Sequence, residues 1–329
     1  MPTTTTPFTD FASIRTFLAS GQDLSAYFRK LLSNLELNPT FSSAIQQHHA
    51  AVRSVIEHKG LNIRTQLIGS LQRKTRIQPR ANDKFDIDIL VELGSFYNWV
   101  NDGGIKPEQA LQHLDNLISD SDRYSNMGPH QDHPTVSFAY ANNIHVELVP
   151  AYRDKIGKRH DGTAIPKDIS YWIPKQGGWQ LADYDQEAAH FSLINQTYGG
   201  EIIPTIKILK SIKRERLDFV GFDSFHLEML AAKILPNIII GRQILRQEIN
   251  YPILVEEFFR FLPSHTADQL LIRGSHADPQ ELNPTLRVLI SLESGKILQE
   301  IERTRRITSI QDRVTIWRGI VGQAFPTTL

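Results

Sequence analysis

Two aspartates one residue apart offer the chain's clearest chemistry, in Lys84-Phe85-Asp86-Ile87-Asp88-Ile89-Leu90-Val91-Glu92-Leu93. Phe85, Ile87, Ile89, Val91 and Leu93 alternate without a break, which predicts a strand with one core face. Asp86 and Asp88 then point together to the other face, roughly 7 Å apart along the chain. Aspartate is depleted in strands, and two parallel carboxylates repel unless something positive lies between them. A divalent cation meets that need. Magnesium takes a few carboxylates and completes its octahedron with water and substrate phosphates. A solvated strand face bearing two aspartates fits the pattern equally well, so the neighbouring residues have to decide.

A second alternating pair supplies a third carboxylate. Thr135 to Tyr140 and Ile144 to Val149 read as strands joined by Ala141-Asn142-Asn143, residues suited to a tight turn. On the later strand Ile144, Val146 and Leu148 share one face, leaving His145, Glu147 and Val149 on the other. Glu147 is thus placed to join Asp86 and Asp88, while His145 reads as a packing or hydrogen-bonding residue rather than a ligand. Three carboxylates on neighbouring strands suit a two-metal site that activates a hydroxyl and stabilises a leaving pyrophosphate. Upstream, Leu67-Ile68-Gly69-Ser70 ends a short apolar run, and Ser70 stands sixteen residues before Asp86. A Gly-Ser turn opening a helix offers backbone N–H groups and a hydroxyl to a phosphate. Arg73, Lys74, Arg76 and Arg80 cluster beside it and are expected to be mostly solvent-exposed.

The elements that must position these groups divide into a mixed α+β part and a helical part. Helical spacing links Phe11, Ile14 and Leu18, then Leu24, Phe28, Leu31, Leu32 and Leu35. A second pattern, Ile45, Val52, Val55 and Ile56, runs to a stop at Lys59-Gly60. Short strands follow from about 63 to 150, and a loop-rich bridge spans Gly157 to Trp179 with Pro166, Pro174, Gly177 and Gly178 as breakers. Helices are expected over 184–198, 201–216, 224–235 and 248–262, and the C-terminal pattern Ile310, Val314, Trp317, Ile320 and Val321 reads as ordinary packing. The expected division is 1–180 for N-terminal helices and the α+β core, and 181–329 for a helical lobe. Helix 201–216 carries an apolar stripe (Ile202, Ile206, Leu209) and a basic one (Lys207, Lys210, Arg214), the latter alternatively a solvated cationic face.

Composition narrows the function. Of 329 residues 40% are hydrophobic and 22% charged, which excludes a wholly disordered chain. Thirty-six basic residues balance thirty-six acidic ones, so no global cationic field holds nucleic acid. A cysteine count of 0 excludes disulfides, thiolate zinc sites and a cysteine nucleophile. The N-terminus lacks a basic signal-peptide region and no apolar run approaches the ~20 residues of a membrane span, so a cytoplasmic protein without membrane association is expected.

Gly69-Ser70-Leu71-Gln72-Arg73-Lys74-Thr75-Arg76-Ile77-Gln78-Pro79, followed by Phe85-Asp86-Ile87-Asp88-Ile89-Leu90-Val91, resembles the active-site signature of DNA-polymerase-beta-like nucleotidyltransferases. The Thr-x-Ile-x-Pro element is similar to that of the bacterial cGAS/DncV-like enzymes (CD-NTases) of CBASS anti-phage systems. Val146-Glu147-Leu148-Val149-Pro150 fits the strand bearing that family's third carboxylate. Pro204-Thr205-Ile206-Lys207-Ile208-Leu209-Lys210 resembles its lysine-bearing helix, and Ser224-Phe225-His226-Leu227-Glu228 its serine-aromatic element.

The resemblance implies a polymerase-beta-like core with a mixed sheet, a helical C-terminal lobe and an active-site cleft between them. It implies that Asp86, Asp88 and Glu147 are catalytic and bind two Mg²⁺ ions, with Mn²⁺ as a substitute. Gly69 and Ser70 would hold the triphosphate, Lys210 and Ser224 would contact phosphates, and Phe225 would stack on a base or pack in the core. The implied reaction joins ribonucleoside triphosphates into a cyclic di- or oligonucleotide messenger that a separate effector protein senses. Animal relatives carry a cysteine-containing zinc insertion that grips DNA; without cysteine, zinc-dependent DNA activation is not expected. Nucleotide transfer to RNA 3′ ends, a protein or a small molecule uses the same site, and an inactive nucleotide-binding module is the remaining alternative.

Overall fold

The computed structural model describes residues 24–58, 63–81, 83–140, 143–153, 170–271 and 281–329. The expected helical residues Phe11, Ile14 and Leu18, the stop at Lys59-Gly60, and most of the bridge before residue 170 lie outside them. The chain forms two compact units.

The first unit holds Leu37–Thr197 with Gln269–Glu281 and is built on a mixed seven-stranded sheet. The strands are β1 (Arg64–Leu67), β2 (Phe85–Ser95), β3 (His130–Asp132), β4 (Thr135–Ala139), β5 (Ile144–Arg153), β6 (Tyr171–Lys175) and β7 (Gly178–Ala182). Their order is β1-β2-β5-β4-β3, with β6 on the far end of β5 and β7 beside β6. Only β2 and β5 run parallel among the described pairs; the others are antiparallel.

The alternation in the sequence sets this sheet's two faces. Phe85, Ile87, Ile89 and Val91 of β2 are each at most 1% exposed. They pack with Ile144, Val146 and Leu148 of β5 and with apolar stripes from two helices, α2 (Pro39–His58) and α4 (Pro107–Ser119). Ile45, Val52 and Ile56 come from the former, and Leu111, Leu114 and Ile118 from the latter. Full burial of each such side chain contributes about 1.5–3 kcal/mol, and a one-residue slip would turn the whole set outward.

One expectation for this unit is corrected. The loop-rich bridge ends in a strand pair: β6 and β7 form a hairpin across Gln176-Gly177, with Gly177 at φ 79. Pro174 thus lies within β6, Gly177 in the turn and Gly178 at the start of β7. The last helix of the unit is α5 (Tyr184–Thr197), and the unit's main segment runs to Thr197.

The second unit comprises the described residues up to Glu36, Tyr198–Asp268 and Leu282–Leu329. Its helices are α1 (24–35), α6 (Ile202–Arg216), α7 (Ser224–Ile244), α8 (Tyr251–His265), α9 (Pro284–Arg305) and α10 (Ile310–Val321). Helix α1 belongs here because Phe28 meets Trp317 and Phe325 edge-on, with ring centroids 4.9 and 5.3 Å apart. Trp317 is thereby a core residue of α10, as its spacing predicts. Helix α7 continues past Pro236, where the sequence suggested a stop, because Ile234, Leu235, Ile238 and Ile239 are all buried on both sides of the proline. Tertiary burial outweighs the one lost backbone bond. No described helix is long and apolar enough to cross a membrane.

Candidate active site

Asp86 and Asp88 lie on β2 and Glu147 on β5, and the parallel register decides how they meet. Asp88 stands directly opposite Glu147, and Asp86 opposite His145. Residues in register on adjacent strands share a face, so all three carboxylates and His145 project from one side of the sheet. All four are half-buried. On the other flank of β5, Glu147 faces Ser137 of β4.

Glu147 carries the electrostatic signature of this arrangement. Burial pushes its carboxyl up to about 7, helped by the negative charges of Asp88, Asp86 and Asp132 and opposed by Arg76. Asp132 was absent from the sequence reading because strand β3 is only three residues long and shows no alternation. The carboxylates are register neighbours and not a closed cage: among the described residues no three His, Cys, Asp or Glu side chains are grouped so as to hold an ion unaided. The donor set is nonetheless the oxygen-only, partly open kind that magnesium prefers, with coordination left to water and phosphate.

The Gly69-Ser70 turn sits against this cluster. Gly69 has φ +67, and a Cβ built on it would lie 2.5 Å from Asp88 Oδ2. Only glycine lets the backbone come so close to the carboxylate. Ser70 is buried, and its carbonyl accepts the N–H groups of Thr75 (3.0 Å) and Arg76 (3.1 Å), which closes the turn. The short helix α3 (Gly69–Gln72) leaves from it.

The basic residues beside the turn are not uniformly exposed. Arg73 is 5% exposed, and its Nη1 donates to Glu187 Oε2 of α5 at 3.0 Å. Its guanidinium also lies 5.8 Å from the Phe191 ring centroid. Next to it Gln72 Nε2 donates to Asp185 Oδ1 at 2.8 Å. The first turn of α5 therefore grips the segment that follows Ser70, an attachment invisible in sequence because Arg73 and Glu187 are 114 positions apart. Tyr184, at the same helix start, is half-buried, and its phenol is pushed up by desolvation and by the charges of Glu187 and Asp88. Lys74 is exposed; Arg76 is half-buried, with its guanidinium 4.3 Å from the centre of the Phe85 ring.

Lys210, Ser224 and Phe225 belong to the helical unit. The basic stripe of α6 is no solvated face. Lys207 Nζ meets Glu36 at 2.6 Å, and Lys210 Nζ meets Glu228 Oε1 of α7 at 2.6 Å with both side chains buried. Ser224 opens α7, whose N-cap is Asp223, accepting the Phe225 N–H at 2.5 Å. Phe225 is half-buried and packs edge-on to His226, ring centroids 6.3 Å apart. Glu228 lies one turn beyond Ser224, so α7 brings Lys210 and Ser224 to one neighbourhood.

The sheet therefore carries paired aspartates on one strand, a third carboxylate on its parallel neighbour and a glycine-serine turn against Asp88. Residues 23–175 match the sequence profile of the Second Messenger Oligonucleotide or Dinucleotide Synthetase domain. In fold the chain is similar to CdnC of Escherichia coli MS115-1, solved with ATP (TM-score 0.66, 16% identity), over 92% of this chain and 98% of that one. It is similar to Escherichia coli DncV in its 3′-deoxy GTP bound form (TM-score 0.66, 13% identity, 90% and 95% covered). A third likeness is to CdnG of Bradyrhizobium diazoefficiens in complex with GTP (TM-score 0.63, 15% identity, 91% and 95% covered). No curated protein matches the chain by sequence. Residues 23–175 thus match a second-messenger synthetase domain, and the chain as a whole has the fold of the structures solved as CdnC, DncV and CdnG.

Proposed function

We propose that the protein is a magnesium-dependent synthase that joins ribonucleoside triphosphates into a cyclic di- or oligonucleotide messenger in anti-phage signalling. The observation carrying this reading is the register of β2 and β5, which sets Asp88 opposite Glu147 with Asp86 on the same face and Gly69 against Asp88.

Asp86, Asp88 and Glu147 would hold the metal, whose charge supports deprotonation of the attacking hydroxyl and neutralises the phosphates. The chain's own part is positioning and charge placement. Gly69 and Ser70 set the triphosphate beside the carboxylates. The ribose hydroxyl of the acceptor loses its proton beside that cluster, its oxygen bonds to the donor α-phosphorus, and pyrophosphate leaves. A second attack of the same kind closes the ring. The parts of Lys210 and Ser224 at phosphates, and of Phe225 at a base, rest on the family resemblance alone. The anti-phage role and a separate effector protein for the product rest there too.

Incubation with all four ribonucleotides and Mg²⁺ or Mn²⁺, read by mass spectrometry, tests the reading. Cyclic products that vanish in the Asp86→Asn, Asp88→Asn double variant are expected. Absence of any pyrophosphate release from the wild-type chain, with candidate activators included, would overturn it.

A further inference from the structure

The helical unit contains a cavity of about 410 Å³ between α7 and α8. That volume falls in the range of small-molecule sites, about 300–1,000 Å³. It is remote in sequence from the sheet carboxylates, and every residue lining it lies between Ile234 and His265.

Its construction is specific. Ile234 and Ile238, both nearly fully buried, form an apolar floor. Gly241 opens the wall: it sits inside a 21-residue helix, and a Cβ built there meets nothing within 4 Å. Glycine in a helix interior costs about 1 kcal/mol relative to alanine, so this residue weakens α7 while leaving room beside it. At the mouth Leu245 is 66% and Phe261 43% exposed, large apolar surface left to water.

The rim carries surplus positive charge. Arg242 is committed to Glu257 and to the Glu248 carbonyl, 2.6 Å away. Arg260 meets Glu256 at 2.8 Å, but that carboxylate is also held by Arg305. Lys233 meets Asp268 at 2.8 Å, and His265 Nδ1 stands 2.7 Å from the same carboxylate. Among the residues lining the cavity, Arg242 and Arg260 stand against one carboxylate, Glu257. The uncompensated charge falls at Arg260, whose side chain is 51% exposed.

We propose that this cavity binds an amphiphilic monoanion, an aliphatic carboxylate whose chain lies on Ile234, Ile238 and Phe261 beside Gly241 and whose head meets Arg260. An apolar body gains by leaving water, and a single anionic head balances the single surplus cation. Because α7 runs from Ser224 to Ile244, ligand and candidate phosphate-contacting residue share one helix.

Decanoate, decanol and decyltrimethylammonium, each titrated into the full chain by calorimetry, test the site without any turnover. Saturable decanoate binding at one per chain is expected, with decanol at least tenfold weaker and the ammonium weaker still. Gly241→Leu should fill the space, abolish decanoate binding and leave the melting temperature unchanged or higher. Phe261→Glu, at an exposed position, should repel the carboxylate and lower affinity at least tenfold, and Arg260→Gln should bring decanoate down to decanol. Equal binding of all three probes, no saturable decanoate binding, or decanoate binding that survives both Gly241→Leu and Phe261→Glu would overturn the proposal.

Discussion

One face of the β2/β5 pair changes character along its length. At the first end Asp86, Asp88, His145 and Glu147 project from it, half-buried, with Asp86 and Asp88 repelling Glu147. One period further on, Leu90, Val149 and Ala151 share the same face with Ile68, Tyr171, Ile173 and Ala182, nearly all sealed from water. Identical backbone pairing therefore supports two opposite environments. The apolar end fixes the strands; the acidic end spends that rigidity on holding like charges together. A carboxylate cluster of this kind persists because its neighbours along the same strands cannot move.

Breaking the acidic end should have the largest effect on turnover and the smallest on the fold. Asp88→Asn is expected to lower the rate by roughly 10³-fold, in the range seen when a preorganised charge is lost from a transition-state site. Circular dichroism should be unchanged, and carboxyl NMR should show Glu147 titrating below its value near 7, since one of its repelling neighbours is gone.

Gly69→Ala comes next. The added methyl meets Asp88 Oδ2 at 2.5 Å, and the backbone at φ +67 disfavours any side chain. Activity should fall about 10²-fold with a stability loss of about 1–3 kcal/mol, read by steady-state kinetics and urea unfolding. Recovery of full activity in this variant would show that the turn does not need its present contact with the carboxylate.

The buried Arg73–Glu187 pair tests what anchors the turn from outside the sheet. Removing one partner, as in Arg73→Ala, leaves a buried carboxylate and should cost about 3–5 kcal/mol in denaturant unfolding. The double change Arg73→Met, Glu187→Leu should recover most of that loss. If the double variant recovers stability but has a raised KM for triphosphate, the pair also sets the turn's position.

The mildest test is pH. Glu147 has a folded value near 7 against an ordinary 4.5, so between these limits the unfolded chain releases its proton first. The stabilisation linked to that bound proton is full below about 4.5 and lost as pH rises through about 7. Metal-free protein should lose stability across this window, Glu147→Gln should flatten the slope, and millimolar Mg²⁺ should restore stability at the alkaline end. Melting curves at stepped pH measure all three.

Much of this was legible in the sequence because strand alternation is a local signal. Phe85 to Leu93 and Ile144 to Val149 declare which side chains face together, and a Gly-Ser pair upstream of them adds the turn. What stayed hidden depends on pairing across long separations. The gripping of Arg73 by Glu187, the charge of Asp132 on Glu147, and the packing of α1 beside Trp317 have no periodic trace. The helical boundaries near Pro236 and residue 248 were misplaced for a related reason: burial of Ile238 and Ile239 carries α7 past the proline, and the Asn250 cap, accepting Ile253 N–H at 3.0 Å, delays α8.

Strand β5 is zipped on both flanks, to β2 over ten residues and to β4 over four. Its side chains can occupy only discrete steps of the ladder. An insertion or deletion between Ile144 and Glu147 would not nudge the third carboxylate slightly; it would exchange it for valine or leucine and turn an acid toward the hydrocarbon interior. Lineages of this enzyme should therefore tolerate length changes in the turns flanking β5 and almost none within it, so that loss of activity by substitution is common and gradual drift of the spacing is not.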